Sequence, residues 1–160
     1  MTGVCSAHTA GVIHRDMKPA NVLFLDASFS PLVTDFGICF LKETPDSERL
    51  TDAHETVGPK FFMAPEQERG GVTDVGFSAD IYTLGKLLHY MLTGRYLYRE
   101  KLPEAFSESE LEKDKRLDVI RRQILARTIM EEPAGRIQSA EQLLGVVGEM
   151  LNSLRRFPEQ

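Results

Sequence analysis

The chain has 160 residues, a length that suits one domain with a buried core. Its 42% hydrophobic and 27% charged residues are typical of a globular protein, and its net charge of −5 argues against nucleic acid or an anionic membrane as a partner. No apolar run approaches the roughly 20 residues needed to cross a bilayer. The two cysteines, Cys5 and Cys39, have neither the number nor the spacing of a disulfide framework or a zinc site, so we expect a cytoplasmic location.

The first predicted elements are a short helix and a β-hairpin. Residues 4–9 have the pattern of a helix that ends near Gly11. Two short apolar runs, residues 22–25 and 31–34, flank a turn-rich segment, which predicts two antiparallel strands. Residues 43–55 are polar and resemble a linker more than any other part of the chain.

Three helices are predicted after the hairpin. Apolar residues at three- and four-residue steps predict a helix capped by Ser78, ended by Gly94 and buried nearly all round. A second helix spans residues 116–130, and a third begins with a capping box formed by Ser139 and Gln142. The predicted fold is therefore mainly α with one small β-hairpin.

One segment resembles the catalytic loop of protein kinases: His14-Arg15-Asp16-Met17-Lys18-Pro19-Ala20-Asn21. Phosphoryl transfer needs a carboxylate near the attacking hydroxyl, a cation to balance charge on the moving group, and an oxygen to help hold Mg²⁺. The resemblance implies that Asp16 orients or deprotonates the hydroxyl, that Lys18 steadies the phosphoryl group, and that Asn21 is a metal ligand. It also implies that His14 packs beneath the loop.

A second motif, Asp35-Phe36-Gly37, resembles the magnesium motif of the same family. In isolation this tripeptide would be an ordinary turn. The predicted hairpin, however, brings Asn21 and Asp35 to one end of paired strands, where both could hold one Mg²⁺, or Mn²⁺, together with the phosphates of ATP. The family's Ala-Pro-Glu motif follows in the right order, as Met63-Ala64-Pro65-Glu66.

The functions of three further positions extend the resemblance. Glu66 and Arg136 resemble the buried ion pair that ties the activation segment to the helical core of kinases. Asp80 resembles the aspartate that hydrogen-bonds the catalytic-loop backbone, although a first-turn acid is also favoured by the helix dipole alone. The distal arginine and the Ala-Pro-Glu motif disfavour a small-molecule phosphotransferase.

Substrate class and regulation follow from the same resemblance. Lys18, two residues after Asp16, is the pattern of Ser/Thr kinases, and the style of the central helix resembles bacterial members. Arg15 beside Asp16 suggests pairing with a phosphate in the activation segment, where the candidate sites are Thr44, Ser47, Thr51 and Thr56. The alternative is an ordinary solvated polar loop.

One substitution departs from the family's pattern. Kinases commonly carry Gly-Thr before the Ala-Pro-Glu motif, whereas this chain has Gly58-Pro59, and proline lacks both the hydroxyl and the backbone donor. The hydrogen bonding of threonine to Asp16 and Lys18 would then be weakened, with Thr56 as a possible substitute.

The resemblance covers only the C-terminal lobe of a kinase, over residues 1–157, with 158–160 as a tail. Thirteen residues precede His14, and Gly-x-Gly-x-x-Gly does not occur in the sequence. We therefore expect the missing N-terminal lobe, or a partner, to cover apolar surface on this chain, and little Mg-ATP binding without it. The alternative function is a non-catalytic kinase-like lobe that acts as a protein-binding module.

Overall fold

The computed structural model describes residues 1–25, 30–36, 61–69, 75–98 and 114–155. Within these ranges the chain is mainly helical with one antiparallel hairpin, as the sequence predicts. The elements in chain order are α1 (Thr2–Thr9), β1 (Val22–Phe24), β2 (Pro31–Val33), α2 (Pro65–Glu68), α3 (Phe77–Thr93), α4 (Lys115–Ile120), α5 (Ala126–Thr128) and α6 (Ala140–Leu154). No helix in the described ranges is long and apolar enough to span a bilayer.

The two strands pair with Val22 opposite Val33 and Phe24 opposite Pro31. The pairing extends by one backbone bond, from the N–H of Thr34 to the carbonyl of Asn21 at 2.9 Å. A 3₁₀ turn, Pro19–Asn21, leads the chain from the loop after α1 into β1. The hairpin is thus attached to that loop at the end where Asn21 and Asp35 lie.

The central helix α3 is 17 residues long and ends, as predicted, at Gly94, which adopts φ 68°. Its start differs from the sequence prediction. Gly76 is the cap residue, and Ser78 lies buried inside the first turn, where its carbonyl accepts a hydrogen bond from Arg136. The helix is buried along most of its length, although Met91 near its end is exposed.

The predicted second helix is present but is not regular. Asp114 caps α4 by accepting hydrogen bonds from the backbone N–H groups of Arg116 and Leu117. A π-helical turn, Arg121–Leu125, then joins α4 to α5. Such a turn inserts an extra residue into the helix. On this turn Ile124 and Leu125 are both buried, each in a different apolar cluster.

The third predicted helix, α6, begins at the expected cap. The hydroxyl of Ser139 accepts a hydrogen bond from the backbone N–H of Gln142 at 3.1 Å. The reciprocal half of the capping box is wrong, because the side-chain oxygen of Gln142 accepts from the N–H of Gln138 instead. The helix packs Leu143 and Met150 into the same cluster as Ile124.

Two apolar clusters flank α3. One joins α1, the π-helical turn and α6 around Ile81, and the other packs Leu125 and Ile129 against Tyr82. Cys5 packs at the edge of the first cluster, whereas Cys39 lies outside the described residues. The long central helix therefore supports both the loop after α1 and the segment around α2.

Candidate active site

The loop between α1 and β1 is held by one fully buried carboxylate, that of Asp80 in α3. Its Oδ2 accepts a hydrogen bond from the backbone N–H of His14, and its Oδ1 accepts one from the backbone N–H of Arg15, both at 2.8 Å. The Nε2 atom of His8 lies 2.9 Å from Oδ2. The predicted contact between Asp80 and the loop backbone is confirmed, so Asp80 does more than complement the helix dipole.

Asp16 stands at the centre of the loop with a cation and an amide beside it. Lys18 Nζ lies 3.0 Å from Asp16 Oδ2, and both side chains are about one quarter exposed. The side-chain nitrogen of Asn21 donates to the backbone carbonyl of Asp16 at 2.7 Å and to its Oδ2 at 3.2 Å. The loop therefore brings together the carboxylate, cation and amide that the sequence analysis singled out.

His14 lies beneath the loop and is buried, as predicted. Its Nδ1 accepts a hydrogen bond from the backbone N–H of Asp16 at 3.3 Å, which leaves Nε2 to donate to the carbonyl of Thr34 at 2.8 Å. The ring also packs against Phe36, with centroids 4.6 Å apart. His14 thus links the loop that carries Asp16 to the strand that precedes Asp35.

Two non-glycine residues in the described ranges have positive φ angles, and both belong to this site. They are Arg15 at 68° and Asp35 at 60°. Such angles strain a side-chain-bearing residue and persist where the surroundings enforce them, often at functional sites. The guanidinium of Arg15 reaches the carbonyl of Val75 at 3.5 Å, and burial lowers its pKa, partly offset by Asp80.

The predicted ion pair between Glu66 and Arg136 is present and buried. Nη1 and Nη2 of Arg136 donate to the two carboxylate oxygens of Glu66 at 2.7 and 2.9 Å. The remaining guanidinium N–H groups donate to the backbone carbonyls of Met130, Ser78 and Glu131. All five donors of the side chain are used, so α2 is fixed to the core.

Comparisons with known proteins agree with this geometry. The family model described as the protein kinase domain matches residues 1–155. The chain belongs to the protein kinase domain family.

Among curated proteins, the chain is similar to serine/threonine-protein kinase D of Synechocystis, with 32% identity over 157 residues that cover 91% of this chain and 29% of that protein. It is similar to serine/threonine-protein kinase pkn3 of Myxococcus xanthus, with 31% identity over 88% of this chain and 28% of that protein. Serine/threonine-protein kinase PknH of Mycobacterium bovis is 46% identical over 59% of this chain and 15% of its own length. The chain spans less than a third of each relative.

A kinase domain holds its metal with few protein ligands, because ATP phosphates supply the rest. In the ranges that the structure describes, no three or more His, Cys, Asp or Glu side chains are grouped so that they could hold a metal ion. The donor set at the hairpin end nevertheless fits Mg²⁺. The nitrogen of Asn21 is occupied by Asp16, which leaves its amide oxygen for a cation, and Asp35 adds a carboxylate next to the paired strand.

A small cleft opens beside the loop between α1 and β1. Its lining consists of Arg15, Asp16, Met17, Phe62, Met63 and Thr83. The hydroxyl of Thr83, in α3, donates to the carbonyl of Phe62 at 3.0 Å and so supports one wall. Asp16 is thus one of the residues that line the cleft.

The sequence analysis missed two residues of this kinase site. His8 belongs to no motif, yet it contacts Asp80 across 72 positions. Gln67 also belongs to none of the predicted site motifs, yet its side chain contacts the carbonyl of Arg15. Neither contact has a local sequence signature.

Several predicted positions lie outside the described residues. They are Gly37, the candidate phosphorylation sites Thr44, Ser47, Thr51 and Thr56, and the substitution Pro59.

Proposed function

We propose that this chain is the C-terminal lobe of a protein Ser/Thr kinase that transfers the γ-phosphoryl group of ATP to protein hydroxyls. The single observation that carries the proposal is that Lys18 and Asn21 both contact the carboxylate of Asp16, at 3.0 and 3.2 Å, next to the hairpin end that bears Asp35. The names of the similar bacterial proteins and the lysine two residues after Asp16 support the Ser/Thr class.

Each residue of the cluster has a role that its surroundings favour. Asp16 accepts the hydrogen bond of the attacking hydroxyl and takes its proton as the hydroxyl oxygen bonds to the γ-phosphorus and the bond from that phosphorus to the leaving ADP breaks. Lys18, beside the same carboxylate, balances negative charge on the transferred group. Asn21, which bonds to both the backbone and the carboxylate of Asp16, keeps that side chain in one orientation.

Asn21 and Asp35 are the residues that would hold Mg²⁺, or Mn²⁺, with the phosphates of ATP. The ion supplies charge neutralisation at the phosphates when it is bound. The backbone bond between Thr34 and Asn21 keeps the two ligands at one end of the hairpin. We place this activity in the cytoplasm, where ATP is available.

The nucleotide requires a second lobe, which we propose covers the hairpin. Four large apolar side chains of the hairpin region are 44 to 67% exposed: Leu23, Phe24, Leu25 and Leu32. Large exposed apolar side chains of this kind favour a protein contact. The same surface also favours the second candidate function, a non-catalytic lobe that binds another protein.

Activation-segment phosphorylation is part of the proposal. A phosphate on Thr44, Ser47, Thr51 or Thr56 would pair with Arg15, which sits next to Asp16 with its backbone fixed by Asp80. Replacement of all four residues by alanine should then lower peptide phosphorylation, and unchanged activity would contradict this part.

The experiment compares the 160-residue chain with a longer polypeptide that includes the sequence encoded directly upstream of Met1. Transfer of labelled phosphate to a Ser/Thr peptide should appear with the longer form, while the chain alone binds Mg-ATP weakly in a calorimetric titration. Asp16→Asn should reduce transfer at least about 100-fold, since it removes the proton acceptor.

Asp114→Asn is the matched control, because asparagine caps a helix as well as aspartate does. Transfer by Asp16→Asn at the wild-type rate would contradict the catalytic role. An inactive longer polypeptide that still captures a protein through the hairpin would favour the binding module.

A further inference from the structure

The backbone immediately before Asp16 is strained and is held from several sides. Arg15 has φ 68°, an angle that costs a residue with a side chain of its size conformational energy. Its N–H donates to Asp80 Oδ1 at 2.8 Å. Its carbonyl accepts a hydrogen bond from Nε2 of Gln67 at 2.7 Å. The strained residue is therefore fixed at both its donor and its acceptor by side chains from other elements.

The carbonyl of Arg15 and the N–H of Asp16 belong to the same planar peptide unit. The N–H of Asp16 donates to His14 Nδ1 at 3.3 Å, and the carbonyl is held by Gln67. Both polar atoms of this unit are thus bound to side chains. Since the unit sets the direction in which the Asp16 side chain leaves the backbone, its orientation fixes where the carboxylate stands.

Gln67 is itself fixed by the segment it belongs to. It lies in α2, one residue after Glu66, whose carboxylate is held by Arg136. Its Oε1 accepts a hydrogen bond from the backbone N–H of Ala64 at 3.1 Å, which orients the amide so that Nε2 points to the loop. A continuous set of bonds therefore runs from Arg136 through α2 to the peptide before Asp16.

We propose that Gln67 is a positioning residue for Asp16, which couples the seating of α2 to the orientation of the Arg15–Asp16 peptide. This inference rests on the proposed kinase function for the role that it gives to Asp16. An amide is the side chain suited to this position because it offers one acceptor, used by Ala64, and one donor, used by Arg15. A carboxylate of the same shape keeps the acceptor and loses the donor.

Three variants test the inference in the 160-residue chain: Gln67→Glu, Gln67→Leu and the control Gln123→Glu. Gln123 lies on the π-helical turn and takes no part in the contacts described above. The first measurement, amide hydrogen exchange, needs no activity. The amides of Arg15 and Asp16 should exchange about tenfold faster in both Gln67 variants, the factor that one ordinary hydrogen bond is worth, and at the wild-type rate in the control.

The second measurement uses the longer polypeptide and its phosphate transfer. Both Gln67 variants should lower kcat about tenfold or more with little change in the KM for ATP, because nucleotide contacts are not altered. The Gln67→Glu variant should also recover toward wild type as the pH falls from 8 to 5.5, since the facing carbonyl of Arg15 and partial burial raise the pKa of the introduced carboxyl above its usual value of about 4.3, and the protonated form regains a donor for that carbonyl. The Gln67→Leu variant should show no such recovery.

The outcomes separate this inference from the proposed function. Unchanged exchange at Arg15 and Asp16 in Gln67→Glu would overturn the inference. So would faster exchange with unchanged kcat, because Gln67 would then only stabilise the fold. If the wild-type polypeptide transfers no phosphate, the proposed function fails, and the exchange rates alone decide whether Gln67 holds the peptide.

Discussion

At the scale of single residues, Asp80 has the most demanding surroundings. It is fully buried, yet its two oxygens accept bonds from two backbone N–H groups and lie next to His8. Hydrogen bonds to a charged acceptor are worth about 1.5–3 kcal/mol each. A carboxylate is required here because an amide of the same shape turns a donor toward another donor.

We therefore expect Asp80→Asn to lower the free energy of unfolding by about 2–3 kcal/mol, which urea denaturation would measure. The control is Asp114→Asn, whose oxygen caps α4 and needs no charge, so its midpoint should remain near that of the wild type. Equal destabilisation by both variants would contradict the special role of Asp80.

His89, on α3, is a second buried titratable residue. Burial lowers its pKa, a backbone hydrogen bond at Arg95 raises it in part, and the charge of nearby Lys86 lowers it further. Because the folded pKa is below that of the unfolded chain, the unfolded state binds more protons, and stability falls as the pH drops below about 6.5. His89→Gln should make the free energy of unfolding less dependent on pH between 7 and 5, as measured by urea denaturation at each pH. An unchanged slope would mean that other groups carry the pH dependence.

Residues with a motif around them could be predicted from the sequence, and those without one could not. Asp16, Lys18, Asn21 and Asp35 were found because their motifs resemble those of protein kinases, and their catalytic roles remain predictions. His8 and Gln67 make contacts 72 and 52 positions away, to Asp80 and to Arg15. Such contacts depend on how the elements pack, which a single sequence does not record.

At the scale of elements, α3 packs closely against the end of α5 at Gly85. A Cβ atom built at Gly85 would lie 2.7 Å from a side-chain carbon of Ile129 and 2.9 Å from Cβ of Thr128. Alanine favours a helix over glycine by about 1 kcal/mol, but overpacking of this kind costs about 1–3 kcal/mol or more. The cost of overpacking should therefore exceed the gain in helix propensity when Gly85 is replaced by alanine.

Gly85→Ala should accordingly lower the melting temperature. Gly145→Ala in α6 is the matched control, because nothing lies within 4 Å of the added methyl group. That variant should be more stable by about 0.5–1 kcal/mol, through helix propensity alone. The two variants should shift the melting temperature in opposite directions, and a shift in the same direction would show that the α3–α5 contact can relax.

The pair of Glu66 and Arg136 joins α2 to the core. Arg136→Lys keeps the charge but cannot form the bidentate contact with Glu66 or satisfy three backbone carbonyls. We expect a loss of about 3–5 kcal/mol of unfolding free energy, because the carboxylate of Glu66 is left buried and poorly paired. Arg155→Lys, on the exposed residue after α6, should leave the urea midpoint unchanged. A change of less than about 1 kcal/mol in the unfolding free energy of Arg136→Lys would indicate that water reaches Glu66.

The elements themselves were largely predictable, because each has a local signal. The hairpin, the Gly94 end of α3 and the Ser139 cap of α6 are confirmed. The start of α3 and the π-helical turn were not predicted. The former depends on Arg136 binding the carbonyl of Ser78, and the latter on two clusters that bury successive side chains.

At the scale of the whole molecule, the helices bury their apolar faces around α3, whereas the hairpin leaves its own face exposed. Phe24, in β1, is 56% exposed, and Leu25, which directly follows β1, is 67% exposed. Exposure of apolar side chains to water is unfavourable, and its free-energy cost grows in proportion to the exposed apolar area. The site that we propose for nucleotide and metal therefore lies beside exposed apolar side chains, which favour contact with a protein.

We expect the double variant Phe24→Ser and Leu25→Ser to reduce self-association and binding of a hydrophobic dye by the 160-residue chain, since it removes the two most exposed large apolar side chains of the hairpin region. Its free energy of unfolding should change little, within about 0.5 kcal/mol, because both side chains are mostly in water already. Met91→Ser is the control, as Met91 is 69% exposed but lies at the end of α3, apart from the hairpin. Sedimentation velocity and dye fluorescence would measure both effects, and an equal change with Met91→Ser would show that exposed apolar area, rather than the hairpin surface, drives the association.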